Sequence, residues 1–187
     1  MSAIGLFFGS FNPIHTGHLI LAEYFVSHCD LQEVWLVVSP NNPFKNGADL
    51  FPQSERLKWV RISIADNPLL KACDIEFSLS SPSYTIHTLS ALSAKYPEHS
   101  FQLIMGQDNL EQFHRWRSYE DILMRYPVLV YPRHGSRACV LEKHPSVRMV
   151  DAPLLEISAT RIRELHASGH SVRYLIPDPV YQEWMSK

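Results

Sequence analysis

The chain has 187 residues, 45% of them apolar and 19% charged, with a formal net charge of −2. That length supports one domain, 1–187, with a substantial core, and the near-neutral balance speaks against a nucleic-acid binder, which presents a clearly basic surface. No apolar run is long enough to cross a bilayer and MSAIGLFFGSF lacks the parts of a secretory signal, so a cytoplasmic chain without a membrane partner is expected.

Short apolar runs alternate with amphipathic stretches along the chain. Ile4–Phe8 predicts a first strand and Gly17 to about His28 a helix. EVWLVVS, Glu33–Ser39, predicts a second strand. Asn41–Pro52 is a long loop rich in Pro, Asn and Gly, of the kind that often carries function. Leu57, Val60 and Ile64 stand at helical spacing within Gln53–Ala65, which places the basic residues of that helix outward. A weaker strand is predicted at Leu70–Phe77 and a helix at Ser83–Tyr96. FQLIM, Phe101–Met105, is another buried strand, followed by helical material as far as Arg125. Pro127–Tyr131 and Val147–Val150 complete the strands. A helix from about Ser158 to Ser168 and a short one after Pro177 form a small C-terminal helical part.

Strands apolar on both faces, alternating with helices, predict an α/β fold. The expected form is a Rossmann-like, doubly wound parallel sheet with helices on both faces. Ligands of such sheets bind beyond the carboxyl ends of the strands. GSFNPIHTGH, Gly9–His18, occupies such an end. Gly9 permits close backbone approach, and the helix that follows turns its free N–H groups and positive dipole end toward the loop, which suits phosphate. His15 and His18, three apart, then lie on one side of the first helical turn. Residue pattern alone leaves open a glycine turn with incidental surface histidines; a zinc site lacks a third ligand at the usual spacing.

LLEISATRIRELHASG, Leu154–Gly169, defines a second sharp helix start. Ser158 is a good N-cap, Ile157 and Ile162 are placed for a hydrophobic staple, Leu165 and His166 continue the inward face, and Gly169 can end the helix. Ser158, Thr160, Arg161 and Arg163 offer hydroxyls and guanidinium groups for polyphosphate, or simply a well-capped, solvated helix. In LIMGQDNLEQFHRW, Leu103–Trp116, a strand runs through Gly106 and delivers Asp108 at a helix start, where it can cap the helix or bind ribose hydroxyls. Trp116 stands in the polar stretch HRWRS, as a packing residue or as a platform for a flat ring. Cys29, Cys73 and Cys139 form no CxxC and read as reduced thiols.

Taken together, HTGH within GSFNPIHTGH and ISATRIR resemble the HxGH and ISSTxxR motifs of the nucleotidyltransferase superfamily. MGQDNLEQFHRWRSYEDIL, SYTIHTL and VRYLIPDPV are similar to the bacterial nicotinate-nucleotide adenylyltransferases. The resemblance implies transfer of AMP from ATP to nicotinate mononucleotide, giving deamido-NAD and pyrophosphate in NAD biosynthesis. It further implies Mg²⁺ held mainly by the ATP phosphates, with no protein metal site. His15, His18 and Arg163 would be catalytic. Gly9, Ser10, Phe11, His15, His18, Gly106, Asp108, Ser158, Thr160 and Arg163 would bind ATP. Lys45, Thr85, Trp116, Arg117, Ser118 and Tyr119 would bind the mononucleotide.

The alternatives are an adenylyltransferase for nicotinamide mononucleotide or phosphopantetheine, or a nucleotide-binding regulator without turnover; a homo-oligomer is left open. Four places depart from the family pattern. Asn12 replaces an acidic residue, His87 an Asp, and Ala159 a Ser. Asn42-Pro43-Phe44-Lys45 matches Pro-Pro-His-Lys only at its second Pro and Lys.

Overall fold

β1 (Ser2–Gly9) forms the middle of the protein because it is apolar on both sides. Ile4 and Leu6 point to one face and Phe7 to the other, all nearly inaccessible to solvent. It pairs in parallel with β2 (Glu33–Val38) on one edge and β4 (His99–Gly106) on the other. β3 (Leu70–Cys73) extends the sheet beyond β2, while β5 (Val128–Tyr131) and β6 (Val147–Met149) extend it beyond β4. The result is a six-stranded parallel sheet of order β3-β2-β1-β4-β5-β6 in a computed structural model that describes residues 2–40, 50–80 and 82–186.

Helices cover both faces, as the strand patterning predicts. α1 (Thr16–His28), α2 (Gln53–Ser63), α6 (Ala159–Ala167) and α7 (Asp178–Met185) pack on the Phe7 side, where Phe25, Trp59, Ile162 and Val180 are buried. α3 (Thr85–Lys95), the short α4 (Gln107–Glu111) and α5 (Tyr119–Arg125) cover the other side through Leu89, Leu92, Leu110 and Ile122. The chain leaves β1 toward β2 and β3, then returns through β4 to β1's opposite edge. Strand order therefore reverses between β1 and β4, and a crevice opens beyond their carboxyl ends, at Gly9 and Gly106.

Several expectations need correction. The strand predicted to Phe77 stops at Cys73. A 3-10 turn over Ile75–Ser78 follows, closed by the Phe77 N–H on the Asp74 carbonyl, and carries Glu76 into the interior. The helical material expected to Arg125 is broken between α4 and α5, where Ser118 takes a left-handed backbone (φ 51°). The basic residues of α2 do not all face outward: Lys58 and Arg61 do, but Arg56 is 1% exposed. It is drawn inward because backbone carbonyls at the ends of β1 and β2 have no sheet partner and need donors. His166, expected on the inward face of α6, is exposed and rests one ring face on Trp184, at 4.6 Å between centroids. The three cysteines are free thiols, and among the described residues no helix is long and apolar enough to cross a membrane.

Candidate active site

The turn from β1 into α1 is shaped by packing and by hydrogen bonds from distant parts of the chain. Phe11 adopts a left-handed backbone (φ 45°), a conformation that costs a bulky residue about 1–3 kcal/mol unless its surroundings impose it. They do: its buried ring lies edge-on to Phe7 and to the His18 ring, with centroids 6.2 and 4.9 Å away. A side chain at residue 9 would strike that ring, since a Cβ there would sit 2.9 Å from it; this is why the position is glycine. Asn12 is buried; its side-chain carbonyl accepts the Phe51 N–H (2.8 Å) and its backbone carbonyl accepts Arg163 Nη1 (2.7 Å). Asn12 therefore ties the turn to two distant segments through two acceptors, one on its side chain and one on its backbone.

His15 occupies the N-cap position of α1 and His18 lies in its first turn. Their imidazoles stack with centroids 3.6 Å apart and planes 19° from parallel. The His15 N–H donates to His18 Nδ1 at 3.2 Å, which places the proton of a neutral His18 ring on Nε2. His15 is buried, and burial, reinforced by the positive charge of Arg133, lowers its pKa to about 3. The pair is thus no surface accident: His15 is buried and held neutral, and its backbone N–H fixes the orientation of the ring stacked on it.

The start of α6 meets the start of α1 across the crevice. Ser158 is the N-cap and accepts the Arg161 N–H at 3.2 Å, while Gly169, with φ +75°, follows the helix end, as the sequence predicts. Gly17 brings the two helix ends together: a Cβ on it would lie 2.3 Å from Ile157 Cγ2. VRYLIP serves the same junction, because the Tyr174 and Leu175 carbonyls accept from Thr16 Oγ1 and Thr16 N–H at 3.1 and 3.0 Å. Two positive helix ends therefore converge on one cleft.

That cleft encloses about 550 Å³. Gly9, Ser10, Phe11, His15, His18, Gly106, Asp108, Trp116, Ser158, Thr160 and Arg163 all line it. Asp108 is not the cap of α4, since Gly106 holds that position; its carboxylate reaches instead to 3.9 Å from Arg133 Nε. Gly106 admits this arrangement, because a Cβ there would lie 2.4 Å from Asp108 Oδ1. Trp116 is half-buried on Phe113 (5.1 Å between centroids, planes at 60°) and also lines the cleft.

Of the other described residues expected on the acceptor side, Thr85, Arg117, Ser118 and Tyr119 do not line the cleft. Thr85 begins α3, and Arg117 rests its guanidinium on the Tyr84 ring at 4.8 Å. Ser118 is the exposed N-cap of α5, and the Tyr119 hydroxyl donates to Glu120. Lys45, with most of the Asn41–Pro52 loop, lies outside the described residues.

Sequence reasoning missed three residues at the site. Arg133 lines the cleft just past the carboxyl end of β5, a location that the strand-end rule singles out. Arg56 sits beneath the turn from β1 into α1, with its Nη1 on the Ser10 carbonyl, hidden in the sequence by a helix pattern that reads polar. Glu76, buried after β3, accepts from Thr88 Oγ1 at 2.7 Å and from the hydroxyls of Ser39 and Ser83. It ties the start of α3 to the end of β2, and burial raises its pKa. Nothing in the spacing around Glu76 signals this, since the hydroxyls come from three separate segments.

Among the described residues, the cleft sets two arginines, a stacked imidazole pair and two helix ends against a single lining carboxylate. Such a set of positive and donor groups suits a polyanion, and Trp116 adds an aromatic ring to the lining. The cytidylyltransferase-like family model matches residues 6–165. A probable nicotinate-nucleotide adenylyltransferase of Cytophaga hutchinsonii is 53% identical over 98% of this chain and 96% of its own length. One of Bacteroides fragilis is 48% identical over 95% and 89%. The solved nicotinic acid mononucleotide adenylyltransferase of Plasmodium falciparum, complexed with NaAD, superposes with a TM-score of 0.77 at 18% identity, over 94% of this chain and 89% of that protein.

Proposed function

Because the chain belongs to the nicotinate-nucleotide adenylyltransferase family, within the cytidylyltransferase-like group, we propose that it transfers AMP from ATP to nicotinate mononucleotide, forming deamido-NAD and pyrophosphate. The observation that carries this reading is the convergence of the α1 and α6 starts, with His15, His18 and Arg163, on one cleft that ends at Trp116.

The mononucleotide's phosphate is already an anionic nucleophile, so no general base is needed. One of its oxygens bonds to the α-phosphorus of ATP as the bond from that phosphorus to the β-bridging oxygen breaks, and pyrophosphate leaves with the electron pair. Catalysis is then positioning plus stabilisation of charge on the transferring and departing groups. His18 Nε2–H and the neutral His15 ring serve the triphosphate. Ser158, Thr160, Arg163 and the α6 N-terminus receive the pyrophosphate end. Gly9, Ser10 and Phe11 border the adenosine and α-phosphate, while Gly106 and Asp108 border the ATP ribose.

The donor set fits Mg²⁺ carried by the triphosphate, because the only carboxylate among the described lining residues, Asp108, is half-exposed and lies toward Arg133. Bound there, Mg²⁺ neutralises phosphate charge. On the acceptor side Trp116 stacks on the pyridine ring. The Arg117–Tyr119 segment addresses its carboxylate, and Thr85 and Lys45 address the rest of the mononucleotide. The chain works in the cytoplasm as one domain.

Label transfer tests the reaction. With ATP labelled at the α-phosphorus, the label should appear in the dinucleotide and none in pyrophosphate. Label in free AMP without dinucleotide would contradict the proposal.

A further inference from the structure

Arg56 is a cation buried beneath the turn from β1 into α1, and among the described residues its hydrogen-bond partners are backbone carbonyls. Its Nη1 donates to the Ser10 carbonyl (2.5 Å) and the Ser39 carbonyl (2.8 Å), its Nη2 to Pro40 (2.9 Å) and its Nε to Phe51 (2.9 Å). One guanidinium therefore joins the residue after β1, the two residues after β2 and Phe51, two residues before α2. The planar fork is suited to this, since its five N–H groups hold fixed directions, which an ammonium group cannot reproduce.

What the fork holds is the strained part of the site. Phe11 (φ 45°) lies between Ser10, whose carbonyl Arg56 takes, and Asn12, whose carbonyl Arg163 takes. The Phe51 peptide is gripped from both sides, its carbonyl by Arg56 Nε and its N–H by Asn12 Oδ1. Two arginines from α2 and α6 thus bracket the one left-handed residue of the turn, and the Phe11 ring is what His18 packs against. A backbone in so unfavourable a region persists only while its flanks are fixed.

We propose that Arg56 is a positioning residue for the transfer reaction: by fixing the Ser10 and Phe51 peptides it holds the Phe11 backbone, and through the Phe11 ring the His18 imidazole, in the geometry the triphosphate requires. It touches neither substrate. The proposal rests on the function given above, and its consequence is specific: loss of the fork lowers turnover for both substrates together and leaves their ground-state binding nearly intact, because misplacement of a stabilising group is felt chiefly in the transition state.

The test compares the wild type with Arg56→Lys and Arg56→Gln at 15 °C, after thermal melts have established which variants are folded. In a folded variant kcat should fall at least 30-fold, with KM for ATP and for nicotinate mononucleotide each within threefold. The His15 and His18 ring proton resonances should move in the ligand-free protein. A folded variant with kcat within twofold of wild type overturns the proposal, as does loss of cooperative melting in both variants, which would make Arg56 a support of the fold alone. If the wild type fails to turn over this substrate pair, the functional reading fails instead. The histidine resonances then decide: displacement supports the positioning role, and unchanged resonances overturn it.

Discussion

The two ends of the cleft are built differently. At the histidine end, side chains project from a turn clamped by Arg56, Arg163, Asn12 and the Thr16–Leu175 hydrogen bond, each tie coming from a distant part of the chain. At the Trp116 end, the residues lie on the link between two short helices, α4 and α5. Their ties are mostly local ones, Trp116 on Phe113 and Tyr119 to Glu120, while Arg117 reaches farther, over the Tyr84 ring at the start of α3. Stabilising charge on a transferring phosphoryl group needs donors fixed in advance, since reorientation would consume their benefit. Recognising a flat ring needs only a surface of the right shape. On the function proposed above, the long-range ties gather where the chemistry takes place and the shorter ones where the acceptor is read.

The largest effect that would break this contrast is at His18. His18→Ala should lower kcat by about 10²–10³-fold, the usual loss for one preorganised donor, with an unchanged circular dichroism spectrum. A near-normal rate would remove the histidines from the phosphate site.

His15 provides a pH signature. Its folded pKa of about 3 lies below the ordinary 6.5, so its neutral form contributes stability that is fully present above pH 6.5 and is lost as pH falls toward 3, where the unfolded chain takes up a proton that the folded chain resists. By pH 5 this amounts to about 2 kcal/mol. Urea midpoints for wild type and His15→Gln, compared at pH 7.5 and 5, should converge on acidification. Parallel pH dependences would contradict a buried neutral imidazole.

Gly17→Ala tests the junction of the two helix starts. The added methyl meets Ile157 Cγ2 at 2.3 Å, and destabilisation of about 1–3 kcal/mol is expected for such overpacking. Gly17→Ala combined with Ile157→Ala should recover more than half of that loss in thermal or urea unfolding.

At the looser end, Trp116→Ala should raise KM for nicotinate mononucleotide about tenfold, in the range of one lost base–aromatic stack, with KM for ATP within twofold. Equal losses for both would make Trp116 a packing residue. The smallest effect belongs to His87, which is exposed and makes a T-shaped ring contact with Tyr84 at 5.7 Å. His87→Asp should change kcat/KM by less than twofold.

The same contrast explains what was legible in the sequence. The parallel sheet follows from runs such as Ile4–Phe8 and Phe101–Met105 that are apolar on both faces, and every predicted strand corresponds to one in the sheet. Gly9–His18 and Ser158–Gly169 could be read because glycines, caps and spaced histidines act within a few residues of one another. Arg56 and Glu76 could not, since their partners are brought together only by the fold: carbonyls at Ser10, Ser39, Pro40 and Phe51 for one, hydroxyls at Ser39, Ser83 and Thr88 for the other. Strand ends were harder. The Leu70–Phe77 run looks continuous, yet the Asp74 carbonyl closes a turn that sends Glu76 inward.

The most direct measurement is pyrophosphate release from ATP and Mg²⁺ by the wild-type protein, with nicotinate mononucleotide and its amide compared at equal concentrations. A strong preference for the acid is expected. Equal or faster release with the amide would leave the triphosphate site in place and contradict the assignment of the Trp116 end to a pyridine carboxylate.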